Sequence, residues 1–209
     1  MAQEPATLHT GLVIDLHVSA VELAPRLLGC LLCQDQVTVR ITEVEAYAGL
    51  ADPASHAYGG PRPRTKDLFA PPGTFYCYLS YGLHVCGNLV CGAMPDGSAV
   101  LLRAGQVVAG LAAARARRGP VPEAHLGRGP GNLGRAMGWT LAHSGGRLSV
   151  GGLELAEPAQ PVVPSAIESG PRVGVSVAHQ RPWRFWLTGE PSVSAYRRSP
   201  RAEAGDQAW

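Results

Sequence analysis

Lysine is almost missing from this 209-residue chain: Lys66 is the only one among 18 cationic side chains, and the rest are arginine. Chemistry through a Schiff base therefore has one internal amine, Lys66, besides the N-terminal amine. No run of 18 apolar residues occurs, and no basic-then-apolar leader opens the chain. Both absences argue against a membrane-spanning helix and lead us to expect a soluble, cytoplasmic protein. The five cysteines are an odd number, which suits a reducing interior better than a disulfide framework. Also lacking are Gly-x-Gly-x-x-Gly after a strand, the Walker Gly-Lys-Ser/Thr, His-Glu-x-x-His and Gly-x-Ser-x-Gly. The common local signatures of dinucleotide, nucleoside-triphosphate, zinc-protease and serine-hydrolase chemistry are thereby excluded. No long internal repeat stands out.

What remains is enough for one sizeable core in one domain, residues 1–209, with frayed ends expected at about 1–7 and 199–209. The 26 glycines and 18 prolines are scattered among β-branched and leucine-rich segments, which indicates a turn-rich globular fold. The net charge of +2 is unevenly spread: residues 1–60 carry seven acids against Arg26 and Arg40, and residues 101–150 carry seven arginines against Glu123 alone. A basic side of this kind suits a nucleic-acid binder, and it equally suits a solvated, arginine-rich helix face. Cys30-Leu-Leu-Cys33 has a redox or half-zinc spacing, but no second Cys/His pair follows at zinc-finger distance. A buried structural pair is the favoured reading, with no metal.

Ser19 with Glu22 is a capping-box pattern, and Val21, Leu23, Leu27, Leu28 and Leu31 follow with partial helical spacing that Pro25 interrupts. Val37, Val39, Ile41, Glu43, Glu45 and Tyr47 share one parity, which predicts a strand with Glu45 on the same face as the three aliphatic residues. Alternation does not choose between Glu43 and Glu45. Residues 50–73 form a long loop rich in Pro and Gly that holds His56, Arg62, Arg64 and Lys66, a length that is usually functional. Thr74–Leu79 and Leu83–Val90 are β-prone runs joined by Ser80-Tyr81-Gly82, which predicts a hairpin with Tyr81 at its tip. Further along we expect a strand at Ala99–Ala104, a helix from about Val107 to Arg118 and a turn at Arg128-Gly-Pro-Gly-Asn132 before another helix. Strands at Arg147–Leu155, Arg172–Val177 and Arg184–Leu187 complete the pattern.

Five of the six tyrosines lie between Ile41 and Asn88, with His56, His84 and Glu45 among them. Flat side chains that stack on an extruded base, beside one polar group able to act on its sugar bond, are what a base-flipping enzyme requires. A tyrosine at an exposed hairpin tip stabilises a fold poorly and serves well as a wedge between base steps.

Several motifs carry a family resemblance in register. Glu43-Val-Glu-Ala-Tyr47, Asp52-Pro-Ala-Ser-His-Ala57, Pro72-Gly-Thr-Phe-Tyr-Cys-Tyr-Leu-Ser-Tyr-Gly82, Asn88, Val100-Leu-Leu-Arg-Ala104, Gly129-Pro-Gly-Asn-Leu133 and Pro171-Arg-Val-Gly-Val175 appear in the order seen in the 3-methyladenine (alkyladenine) DNA glycosylases of the single-domain mammalian and bacterial type. The chain resembles a bacterial member over about residues 8 to 198. The resemblance implies an α+β fold: a single mixed domain with a curved antiparallel β-sheet, surrounding helices and a protruding β-hairpin that enters the DNA minor groove.

Residue by residue, the resemblance implies that Glu45 is the base that activates water and that Arg103 and the Val173 main-chain carbonyl help to hold that water. It makes Tyr47, His56 and Tyr78 the walls around the flipped base and Tyr81 the intercalating wedge. Asn88 becomes the side chain that disfavours the 2-amino group of guanine. The expected activity is base excision from double-stranded DNA containing damaged purines, by a monomer with no cofactor and no membrane partner, associated with the nucleoid when bound. The shortage of lysine points to a monofunctional enzyme that leaves the abasic strand intact. Thr65, where an Arg-Asn pair is common, and Leu83-His84, which replace larger neighbours beside the wedge, depart from the pattern and bear on substrate range and flipping efficiency. Two other classes compete: a non-catalytic binder of damaged or distorted nucleic acid, indifferent to Glu45, and, far behind, a metal or redox protein built on Cys30 and Cys33.

Overall fold

A capping box opens the first helix. The Ser19 hydroxyl accepts from the Glu22 amide and the Glu22 carboxylate accepts from the Ser19 amide, satisfying two otherwise free N–H groups at the start of α1, Ala20–Leu27. The computed structural model describes residues 14–149, 152–158 and 160–202. After α1 come β1, Leu31–Gln34, and β2, Val37–Tyr47, then a long loop with two 3-10 turns. The hairpin of β3, Phe75–Ser80, and β4, His84–Cys91, leads into β5, Ser98–Ala109, then α2, Leu111–Arg118, and α3, Pro130–Met137. Three short strands complete the chain: β6, Glu154–Ala156; β7, Ile167–Gly170; and β8, Arg184–Leu187.

The strands form one curled antiparallel sheet in the order β3-β4-β5-β2-β1-β6, giving a mixed α+β single domain. β2 is its long central member. It pairs with β5 along one edge; along the other it pairs first with β1, at Val37 to Arg40, and then with β8, at Glu43 to Glu45. That change of partner brings residues from 140 positions further along the chain against the two glutamates.

Most of the apolar interior lies on one side of the sheet. Leu23, Ala24 and Leu27 of α1 and Leu133, Ala136 and Met137 of α3 pack there with aliphatic residues of β2 and β5. Phe75 and Trp139 meet edge-on, their centroids 4.9 Å apart. α3 lies flush against β4: a Cβ on Gly134 would meet the Val85 carbonyl oxygen at 2.0 Å, so only glycine permits this approach. A smaller cluster on the other side joins Ala57 and Leu68 of the long loop to Tyr76, Val90 and Ala99, and so pins the loop that carries His56 against the hairpin.

Four local expectations are corrected. Val107–Ala109 continues β5 instead of beginning a helix, because Val107 pairs with Val39; Gly110, at φ 73°, makes the turn into α2. Leu31 belongs to β1 and not to the leucine-rich helix, which stops at Leu27. The 147–155 region gives only single bridges at Arg147 and Leu148 before β6. Arg172–Val177 is a loop and not a strand: Gly174 at φ 73° and Ala178 at φ 47° turn the backbone out of extended geometry. The expectation of frayed ends at 1–7 and 203–209 lies outside the described residues, while 199–202 close a turn with the Ala202 amide donating to the Ser199 carbonyl.

Candidate active site

The strand that bears the two glutamates is not regular, and its irregularity builds the site. Pairing between β2 and β5 skips Thr42 on β2 and then Arg103 on β5, so each strand carries an extra residue. A bulge of this kind reverses which face the following residues occupy. Val37, Val39 and Ile41 point into the main core, and after the bulge Val44 and Ala46 take over that face. Thr42 and Glu43, neighbours in sequence, both reach the same segment: the Thr42 and Ser192 hydroxyls lie 2.9 Å apart, and the Ser194 amide donates to Glu43 at 2.7 Å. Glu43 and Glu45 are therefore opposite to Val37, Val39 and Ile41, contrary to what unbroken alternation predicts. A carboxylate facing that apolar layer would be desolvated without compensation; on the far side arginines meet it.

Glu45 is fully buried and lines a cavity of about 1060 Å³. Three donors converge on its carboxylate. The Val173 amide donates to Oε1 at 2.7 Å, an Arg103 terminal nitrogen lies 3.2 Å from the same oxygen, and the Tyr47 hydroxyl donates to Oε2 at 2.8 Å. The resemblance assigned the Val173 carbonyl a role in holding water; the contact observed here is made by the Val173 N–H and holds Glu45 itself. Glu43, also fully buried, does not line the cavity, so the structure separates two residues that parity left equivalent.

Aromatic walls rise from this floor. The ring centroids of His56 and Tyr78 lie 4.6 Å apart, with the planes nearly perpendicular. Tyr76, which site assignment by motif omitted, stacks beside Tyr78 with centroids 6.0 Å apart and its hydroxyl 3.2 Å from His56 Nδ1. Burial, with the Arg64 charge in support, holds the His56 imidazole below its ordinary pKa of 6.5. Burial also pushes the Tyr47 and Tyr78 phenols well up, and the Tyr76 phenol up to about 12. The walls thus carry no charge of their own at neutral pH.

Asn88 faces the cavity from β4, its amide nitrogen donating to the Tyr76 carbonyl at 3.1 Å, a bond that fixes which way the amide points. Tyr81 borders the same cavity from the outside. It is 91 % exposed at the hairpin tip, at φ 50° beside Gly82 at φ 69°, and the Leu83 amide donates back to the Ser80 carbonyl. Two successive positive φ angles closed by that bond are the signature of a type I′ hairpin turn.

Residues that motif reading passed over hold the walls in place. Arg172 is 1 % exposed, pairs with Asp52 through both terminal nitrogens and donates to the Ala46 carbonyl. Its guanidinium lies 4.6 Å over the Tyr47 ring and 5.2 Å over Trp183. Asp52 and Arg172 sit in two of the motifs quoted above, so their presence was legible and their pairing was not. The basic segment 101–150 spends most of its arginines structurally: Arg117, Arg118, Arg128 and Arg147 each donate to a main-chain carbonyl. Cys30 is buried with its thiol pushed up to about 12, and among the described residues no disulfide and no group of His, Cys, Asp and Glu suited to a metal is found.

Residues 15–191 match the family model for methylpurine-DNA glycosylase. The chain belongs to the methylpurine-DNA glycosylase family. Curated relatives agree over nearly their whole lengths. A protein of Cutibacterium acnes is 49 % identical over 193 residues, covering 88 % of this chain and all of that protein. One from Frankia casuarinae is 50 % identical over 191 residues, 86 % and 90 % of the two chains, and one from Nocardia farcinica is 51 % identical over 203, 91 % and 93 %. Each is named "Putative 3-methyladenine DNA glycosylase". By family membership the chain is a DNA glycosylase of the methylpurine type, a hydrolase of DNA repair. No helix among the described residues is long and apolar enough to cross a membrane.

Proposed function

We propose that this glycosylase removes alkylated or deaminated purines from duplex DNA by hydrolysis, with Glu45 activating the water. The observation that carries this reading is Glu45 itself: a fully buried carboxylate at the floor of an aromatic cavity, its two oxygens held by Val173, Arg103 and Tyr47. Such fixed donors cost no reorganisation when charge develops.

Tyr81 enters the duplex as the base leaves it, and the base settles between Tyr47 on one side and His56 with Tyr78 on the other. Stacking is strongest for a base that already carries positive charge, since the rings present their negative faces. Asn88 stands where a 2-amino group would intrude and selects against guanine. Water beside Glu45 attacks C1′; its proton passes to the carboxylate and the bond electrons leave with the purine nitrogen. The positive charge that builds on the sugar is stabilised by the same carboxylate. A cationic methylpurine leaves as a neutral base, whereas hypoxanthine or ethenoadenine needs a proton from a donor in the cavity.

The product is an intact strand with an abasic sugar. Lys66 is exposed and does not line the cavity, so no lysine is placed to form a Schiff base there. We take the enzyme to act as a cytoplasmic monomer without cofactor. The test is product analysis on duplexes containing hypoxanthine, 1,N6-ethenoadenine or a 3-methyladenine source. Free base, with a strand cut only after alkali and no adduct trapped by borohydride, is expected. Binding without base release on all three would contradict the proposal and favour a damage-binding protein.

A further inference from the structure

Glu43, the other glutamate of β2, is fully buried outside the cavity. We propose that Glu43 is a positioning residue of the excision reaction, holding the Arg103 guanidinium in the orientation that bridges to Glu45. The inference rests on the hydrolytic reading above and extends it to a side chain that touches no reacting atom.

Glu43 Oε1 accepts from Arg103 Nε at 2.7 Å, from Arg184 Nε at 2.7 Å and from the Ser194 hydroxyl at 2.9 Å, and Oε2 accepts from the Ser194 amide at 2.7 Å. Arg103 is in turn held at three corners of its plane: by Glu43, by Glu45 and by the Ser194 hydroxyl at 3.2 Å. A planar fork tied at three points does not rotate without breaking two contacts. Burial raises the Glu43 pKa, but Arg103 and Arg184 outweigh it and hold Glu43 below the ordinary carboxylate range. Two carboxylates and two guanidiniums are thus balanced in one buried network, and only Glu45 and Arg103 of the four border the cavity.

Removing the Glu43 charge upsets this balance in a defined way. Arg103 keeps at most a neutral acceptor at its Nε and turns more fully onto Glu45, the remaining carboxylate within reach. A carboxylate that gains another strong donor is a weaker acceptor for the proton of water, and its displacement misaligns the attack. Base binding, which depends on the walls, is untouched.

Single-turnover excision with enzyme in excess separates these effects. Glu43→Gln is expected to lower the saturating rate by about 10- to 100-fold, the scale of a misplacement near 1 Å, while the enzyme concentration giving half that rate shifts by no more than about twofold. Combining it with Arg103→Lys should add less than about twofold to the loss from Arg103→Lys alone, because both act through one group. Glu43→Asp keeps the charge but withdraws the carboxylate, and is expected to slow the saturating rate to a smaller degree; it serves as the test if the glutamine variant does not fold. An unchanged saturating rate in the folded variant, a loss confined to affinity, or losses that multiply in the double variant would each overturn the role of Glu43 while leaving the glycosylase reading intact. No base release by the native protein would overturn both.

Discussion

At the cavity floor Glu45 and Arg103, and Glu43 behind them, are at most 5 % exposed, while at the hairpin tip Tyr81 and Leu83 are 91 % and 77 % exposed. The usual distribution of side chains is inverted at both places, and for different reasons. The floor retains its charges because each is matched: every buried carboxylate oxygen of Glu43 and Glu45 has a donor within 2.9 Å. The tip has no such compensation within the protein. Its apolar surface meets water, and the Tyr81 backbone occupies a left-handed conformation that non-glycine residues rarely adopt. A floor complete in the free protein and an exposed tip are what the proposed division of labour between bond cleavage and base extraction requires.

Substitutions can break that comparison at either end. The largest expected effect comes from the wall support: Arg172→Ala leaves the Asp52 carboxylate, which is 0 % exposed, with only Arg181 at 3.5 Å and the Ala48 and Ala54 amides, and should cost about 3 kcal/mol of unfolding free energy in urea titration, the low end for a broken buried pair. A loss below about 1 kcal/mol would mean that the buried network is not what braces the cavity. Tyr81→Ala should leave stability within about 0.5 kcal/mol but weaken excision from duplex DNA by an amount on the order of the unstacking cost, about 2 kcal/mol or roughly 30-fold. Equal losses in stability and excision would show that the tip is a structural element after all.

A subtler effect concerns His56. Its folded-state pKa is depressed below 6.5, so the unfolded chain binds its proton first as pH falls. Stability contributed by the neutral ring is present above 6.5 and is lost as pH drops toward the folded-state value. Excision of a cationic methylpurine should decline as pH falls through the lower, folded-state value, since a protonated His56 would repel it, and a neutral lesion should decline less. His56→Gln should remove that difference between lesions in a pH series. Smallest of all, Tyr81→Asn should raise stability by about 0.5–1 kcal/mol, because asparagine tolerates positive φ, even as it weakens duplex excision. Thermal unfolding would then move upward by about 1–4 °C.

The two regions also differ in how far they could be read from sequence. The hairpin was legible because its information is local: two β-prone runs and a Ser-Tyr-Gly connection specify both turn and tip. The floor was legible in composition and not in geometry. Regular alternation set Glu45 beside Val37, Val39 and Ile41, and a bulge at Thr42 with its counterpart at Arg103 moved it to the other face. Nothing local in 37–47 announces that bulge. The partners that make it tolerable, Arg184 and Ser194, lie far along the chain and show no pattern tying them to Glu43. The Arg172–Val177 segment failed for the converse reason: its residues favour strand, but Gly174 at φ 73° turns the backbone just after the Val173 amide that donates to Glu45.

In the proposed mechanism Glu45 performs the chemistry and the surrounding surfaces only deliver the base to it. The most direct measurement is single-turnover base release by Glu45→Gln, with enzyme above substrate, beside its affinity for the same damaged duplex. Affinity within about threefold of native is expected, with a saturating rate lower by about 10²–10⁴-fold, the range for loss of a positioned general base. Undiminished base release by a folded Glu45→Gln protein would contradict that mechanism.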